Sequence, residues 1–320
     1  MRVILLSLVF FSLIILPIKL SYAQEKAQEK AQEKAQEKSQ ESATKKTAKS
    51  KGSKTDDAAS KNKRLKTSTL RLPINSEQQF KNDIKHYINS DKITPLLLGS
   101  DDFLTLISEE TTGNPKGVAI LLSDWQQAAT SPKAINYLRK KLPALGWTTI
   151  TIQSMTKPKN YPSVKAKKIA RIEENKKTLT DYKNKLSKII TKVMVKAANY
   201  PGLFLVVAEG SNAALLVNLY QQSKNKEPDV LVILSGHLLA NQDNKNYVTA
   251  LANIDVPVLD LYLKNDNAKV LALAPLSRSQ SKKQLKVYYR QQQLNNTTTG
   301  YYPINDLLKA INGWLKHIGW

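Results

Sequence analysis

The chain has 320 residues, 41% of them hydrophobic, which is enough for one sizeable buried core. It contains no cysteine, so disulfides, thiolate catalysis, cysteine-bound metals and a lipid anchor on an export-signal cysteine are all excluded. Forty-nine Lys and Arg against 26 Asp and Glu give a net charge of +23, which predicts attraction to anionic surfaces but says nothing of fold.

The chain opens on "MRVILLSLVFFSLIILPIKLSYA", with an early Arg2, a long apolar run and a small-x-small ending at Ser21, Tyr22 and Ala23. This pattern predicts a secretory signal peptide over residues 1–23, with an uncleaved inner-membrane anchor as the alternative. An exported chain without disulfides fits the bacterial periplasm, where nucleic acid is not an expected partner. Anionic lipid head groups, lipopolysaccharide and acidic polymers are. Next comes "AQEKAQEKAQEKAQEK", whose residues favour helix, but whose period of four stacks like charges at i,i+4. Nothing from Gln24 to about Lys66 can bury a core, so residues 24–66 are read as a disordered, charged, low-complexity linker.

The folded part is expected over residues 67–320. "STLRLP" reads as a first strand and "SEQQFKNDIKHYI" as a helix capped by Ser76. "DDFLTLISEET" and "NPKGVAILLSD" read as strands, the second apolar throughout, as in a parallel sheet covered on both faces. "SPKAINYLRKKLPALG" predicts a helix with a serine cap and a proline at its first position, ended by Gly146. The strand "WTTITIQSM" follows, then a long basic helix from about Lys167 to Ala198. Its apolar positions Leu179, Tyr182, Leu186, Ile189, Ile190 and Val193 recur at intervals of three and four.

Beyond it strands and helices alternate. The strands are "GLFLVVAE", "PDVLVILSG", "VPVLDLYLKND" and "LKVYYRQQQL"; the helices include "SNAALLVNLYQQS", "NKNYVTALANI", "AKVLALAPLSRSQ" and "INDLLKAINGWLKHIG". This predicts an α/β class chain: a doubly wound, mostly parallel sheet of about eight strands with helices on both faces and early antiparallel pieces at one edge. Sites in such sheets form beyond the carboxyl ends of the strands.

The order of these elements, with "GVAILLSDW", "LRKKLPALGWTTITIQ", "LFLVVAEGSNAA" and "VPVLDLYLKND", resembles the α/β-hydrolase fold. "DDFLTLISEETTGNPKGVAILLSDWQQ", "LPALGWTT" and "PVLDLY" are similar to an uncharacterised family of exported α/β-hydrolase-like proteins of Gram-negative bacteria. The resemblance implies an oxyanion loop after "GVAILL", a nucleophile elbow at "VVAEGSNAA" and an acid after "VLDLYLKND". It implies no established activity.

The elbow needs a nucleophile on a tight turn between small residues. In register, Glu209 precedes the tip, Gly210 takes the tip, and Ser211 falls one place late on the first turn of the helix, where it is expected to cap. Its backbone N–H is the one expected in an oxyanion hole. Asp266 matches the acid position, and Asp260, inside the same strand, is expected to point elsewhere. The loop "NNTTTGYYP", where a hydrolase expects histidine, has none. His86 and His317 read as surface or packing residues, and His237 alone stands near the carboxyl edge. Ser123, Asp124 and Trp125 replace the His-Gly of many oxyanion loops, and an inward Asp124 would disfavour a developing negative charge.

Three scattered histidines exclude a compact zinc motif, and the absence of Gly-rich phosphate loops leaves no nucleotide cofactor; no metal or other cofactor is expected. The leading expectation is a periplasmic hydrolase-like protein without a working Ser-His-Asp triad. It would bind an unknown small molecule or envelope partner in the ancestral cleft around Glu209, Gly210, Asp124 and Trp125, with lysine-rich segments available to anionic envelope surfaces. The alternative is a divergent esterase or amidase using Ser211 with His237 and Asp266, or carboxylate chemistry between Glu209 and Asp266.

Overall fold

The computed structural model describes residues 73–98, 101–125, 127–223 and 227–320. The expected signal peptide and linker lie outside the described residues, as does the "STLRLP" strand apart from Pro73. What is described belongs to one compact unit, Arg71–Trp320. In chain order its elements are α1 (Ser76–Tyr87), β1 (Ile93–Leu98), β2 (Asp101–Ser108), β3 (Gly117–Leu122), α2 (Ala134–Lys141), β4 (Trp147–Ile152), α3 (Lys168–Ala197), β5 (Leu203–Glu209), α4 (Gly210–Gln222), β6 (Val230–Leu234), α5 (Asn241–Asn253), β7 (Val258–Leu263), α6 (Ala268–Lys283), β8 (Tyr289–Leu294) and α7 (Ile304–His317).

The strands form one eight-stranded sheet in the order β1-β2-β4-β3-β5-β6-β7-β8. From β4 to β8 every neighbouring pair is parallel; β1 and β2 are antiparallel to their neighbours at one edge. The strand residues explain the layering. Side chains alternate across a sheet, so a strand apolar at every position must be covered on both sides. Val118, Ile120 and Leu122 of β3 pack with Val206 and Ala208 of β5 against Leu186, Ile189, Ile190 and Val193 of α3 and the apolar residues of α4. Ala119 and Leu121 turn to the other face with Leu205 and Val207, where Ile135 and Leu138 of α2 and Leu307, Ile311 and Trp314 of α7 cover them. A smaller cluster joins Ile84 of α1 to Leu104, Leu106 and Ala129.

Two local expectations are corrected. The first helix is capped by Asn75, whose side chain accepts from the Glu77 N–H, and Ser76 is already helical. Ser131 and Pro132 do not open α2: they sit in the turn before it, and its N-cap is Lys133, without a side-chain cap bond. The strand at the sheet edge is Ile93–Leu98, which carries Pro95. A proline is tolerated there because an edge strand leaves one row of N–H groups unpaired. Gly146 does end the helical stretch, at φ 89° in the left-handed region that favours glycine. Among the described residues no helix is long and apolar enough to cross a membrane.

Leu121 is fully buried in β3, between α2 and α7. Leu121→Ala is therefore expected to lower the unfolding free energy by about 2–5 kcal/mol in urea denaturation, whereas Lys140→Ala on an exposed helix position changes it by less than about 0.5 kcal/mol.

Candidate functional site

Strands β3, β5, β6 and β7 all end on the same edge, and the loops leaving them gather the candidate residues. At the centre β5 runs into α4 without a spacer: Glu209 is the N-cap residue and Gly210 the first helical one. Gly210 has φ 59°, the strained turn of an elbow, at a position where glycine adopts it without cost.

The space that a side chain at the tip would need is already filled. A Cβ built on Gly210 would lie 2.5 and 2.6 Å from the two carboxylate oxygens of Asp124, which reaches in from the loop after β3. The same carboxylate accepts the backbone N–H of Ser211 at 2.8 Å. This N–H is the one the sequence placed in an oxyanion hole, so Asp124 lies on the oxyanion donor rather than turned away from it. Desolvation raises the carboxyl above the ordinary aspartate range; the N–H groups of Ser211, Trp125 and Asn212 and the neighbouring His237 pull the other way.

Several further bonds hold this arrangement. Asn212 donates to the Ser123 carbonyl at 2.7 Å and accepts from the Tyr182 hydroxyl at 2.8 Å. The Ser154 hydroxyl donates to the same carbonyl at 2.6 Å. Trp125 is buried edge-on between Tyr161 and Tyr182, with ring centroids 5.7 and 5.6 Å away. Trp125 thus packs the loop down instead of lining an open surface.

Ser211 is 2% exposed, and its hydroxyl caps nothing: α4 has no side-chain cap bond. That expectation is corrected. No hydrogen bond joins Ser211 to His237 among the described residues; the His237 ring Nδ1 lies 2.9 Å from the Ser235 carbonyl, and its backbone N–H reaches the Gly210 carbonyl at 3.4 Å. Asp266 is brought to the same edge but engaged locally. Its Oδ2 accepts the Ser235 hydroxyl at 2.5 Å and the Leu263 N–H at 2.9 Å, and its Oδ1 accepts the Asn267 N–H. Asp260 belongs to a separate buried network with Tyr289 and Gln291, at 2.8 and 2.9 Å. His86 and His317 are exposed, each against an aromatic neighbour of its own helix region.

Glu209 is 6% exposed; one oxygen faces Gln127 Nε2 at 3.4 Å and the other has no hydrogen-bond partner. Burial first, then the charge of Asp124, push its carboxyl up to about 7. Near pH 6 Glu209 therefore keeps a proton that an ordinary glutamate has released.

Three residues escaped the sequence reading. Gln127 faces Glu209. Ser235, at the end of β6, holds φ 51°, rare for a residue with a side chain, and its hydroxyl lies 2.5 Å from the Tyr302 hydroxyl. Tyr302 stands in the loop after β8, where a histidine was sought, so a neutral phenol occupies that loop and connects through Ser235 to Asp266. The one available sequence signal was the serine–glycine pair closing an apolar strand.

The sheet order and the tight strand-to-helix turn at Gly210 are α/β-hydrolase-like. Solved structures similar to the chain include TT1662 from Thermus thermophilus (14% identity, TM-score 0.46, covering 70% of this chain and 97% of that one). Also similar is XC6422 from Xanthomonas campestris, described as a serine hydrolase without lid (10% identity, TM-score 0.46, 72% and 96% covered). Est1E from Butyrivibrio proteoclasticus is a third (9% identity, TM-score 0.47, 71% and 98% covered). No curated protein matches the chain. A family model described as "Protein of unknown function (DUF3530)" matches residues 6–317, and the chain belongs to that family.

Proposed function

We propose that the chain is an exported, periplasmic binding protein that keeps the α/β-hydrolase frame without a working Ser-His-Asp triad, and that it engages a ligand or envelope partner instead of turning over a substrate. The observation that carries this is the position of Asp124. Its carboxylate takes both the volume of a nucleophile side chain at Gly210 and the Ser211 N–H that an oxyanion would need. A negative charge there opposes the tetrahedral oxyanion of acyl transfer. The missing histidine after β8 and the tyrosine in its loop support the same reading. The apolar opening segment and the absence of cysteine support export. A ligand acting at the elbow would bring its own anionic group to the Ser211 N–H in exchange for Asp124.

One observation favours a second reading. A buried carboxyl held near 7, with an oxygen free of hydrogen bonds, is suited to general acid–base work at Glu209. That reading requires a turnover that Glu209→Gln abolishes.

Three outcomes are expected. A fluorophosphonate probe leaves the purified protein unlabelled; stoichiometric labelling mapped to Ser211 overturns the proposal. Gly210→Ser forces the new side chain onto Asp124 and lowers stability by about 1–3 kcal/mol in urea denaturation, and Asp124→Gly in the same chain offsets part of that loss.

The pH dependence follows from Glu209, whose carboxyl titrates near 7 in the folded chain against an ordinary 4.5. Between these values the unfolded chain has lost the proton and the folded chain keeps it. Stability therefore falls as pH rises from about 4.5 to about 7, by on the order of 3 kcal/mol for this group. Denaturation curves of Glu209→Gln across this range should lack that decline.

A further inference from the structure

The segment joining α6 to β8 has its polarity inverted. Leu285, Val287 and Tyr288 are 83%, 82% and 56% exposed, three large apolar side chains within four residues. Between them Lys286 points inward. Its ammonium donates to the backbone carbonyls of Ile254 and Val256, the second at 3.0 Å, which ties the segment to the end of α5 and the approach to β7. Half-burying a lysine while exposing its apolar neighbours is the reverse of what water alone selects.

The backbone holds this arrangement firmly. The N–H of Leu285 bonds to the Lys282 carbonyl at 3.1 Å and that of Lys286 to the Ser281 carbonyl at 3.0 Å, the paired bonds of a Schellman helix end. The residue that must adopt the left-handed conformation in this motif is usually glycine; here it is Leu285, at φ 52°. A bulky residue in the one position that favours glycine, aimed into water, is an observation that packing does not explain.

Along the chain the flanking charge has one sign, while Asp255 and Glu227 approach the inward Lys286 ammonium from elsewhere in the fold. From Asn267 to Asn305 the chain carries six Lys and Arg (Lys269, Arg278, Lys282, Lys283, Lys286 and Arg290) and no Asp or Glu. Lys282, Lys283 and Arg290 flank the tip and are exposed. The lysine-rich helix α3 differs, because Glu173, Glu174 and Asp181 are interspersed along it.

We propose that the Leu285–Tyr288 tip is a membrane-docking element that inserts Leu285, Val287 and Tyr288 into the interfacial region of an anionic bilayer while Lys282, Lys283 and Arg290 meet its phosphates. Apolar insertion combined with a few adjacent cations is the pairing of forces that holds a peripheral protein on such a surface. A tyrosine suits the boundary, with its ring in the acyl region and its hydroxyl among head groups. A protruding turn of four residues offers far less area than a stable protein interface needs. The inference stands on the tip alone and is independent of whether the elbow is catalytic.

The test is co-sedimentation of the processed chain, purified from cells, with vesicles of phosphatidylglycerol and phosphatidylcholine and with phosphatidylcholine alone. Wild type should bind the anionic vesicles, and binding should weaken with added salt. Leu285→Gly installs the residue that the helix end favours, so thermal melting should hold or rise, while vesicle affinity falls; together with Val287→Ser the loss should reach about tenfold or more. Lys282→Gln with Lys283→Gln should lower affinity several-fold and flatten the salt dependence. The proposal is overturned if wild type ignores anionic vesicles or if the folded tip variants bind as wild type does, which would assign binding to the tail or α3. It is equally overturned if wild type instead forms a dimer, detected by sedimentation equilibrium, that the tip variants abolish.

Discussion

The carboxylate of Asp124 on the Ser211 N–H is the contact around which the carboxyl edge of this sheet is organised. One group meets two needs created by the glycine at the tip. It fills the volume that Gly210 leaves open, and it satisfies a helix-terminal N–H that burial would otherwise strand. The loop after β3 is thereby fixed to the start of α4. The bonds from Asn212 and Ser154 to the Ser123 carbonyl reinforce it, and Trp125 is pressed between Tyr161 and Tyr182. The loop after β3 is thus a closed joint.

The electrostatics follow from that joint. In a chain of net charge +23, the elbow collects Asp124, Glu209 and Asp266. Desolvation and mutual repulsion keep Glu209 largely protonated at pH values where an exposed glutamate is ionised. Asp266 is occupied by Ser235 and backbone N–H groups, and the loop after β8 contributes the Tyr302 phenol. The phenol can complete a hydrogen-bond chain, but it cannot take a proton from a serine at neutral pH.

Much of the fold was legible because its cause is local. Strands buried on both faces must be apolar at successive positions, and "GVAILL" and "LFLVVA" are; the alternation between α2/α7 and α3/α4 then follows from the pleat. Edge strand β1 was missed because it is only partly buried and holds Pro95, and both features remove the signal that marks a central strand. The cap positions slipped by a residue or more where Asn75 competes with Ser76 and where Ser131 spends itself in a turn. At the site, Gly210 was readable as a tip without a nucleophile. The inward Asp124 was not, because no local pattern says which way a loop carboxylate turns. The backbone N–H groups of Ser211, Trp125 and Asn212 hold it inward, and they converge only once the loops are assembled. Ser235 and Tyr302 are 67 residues apart and meet only through the parallel order of β6, β7 and β8, which no local pattern encodes.

The central claim is that the Asp124 carboxylate holds the Ser211 N–H. Amide hydrogen exchange at Ser211 reads this directly. Asp124→Ala should accelerate exchange at Ser211 by about tenfold or more while the core amides of β3 and β5 keep their protection, and added acetate should restore the slow rate. Exchange at Ser211 that is equally slow with and without the Asp124 carboxylate would contradict the account.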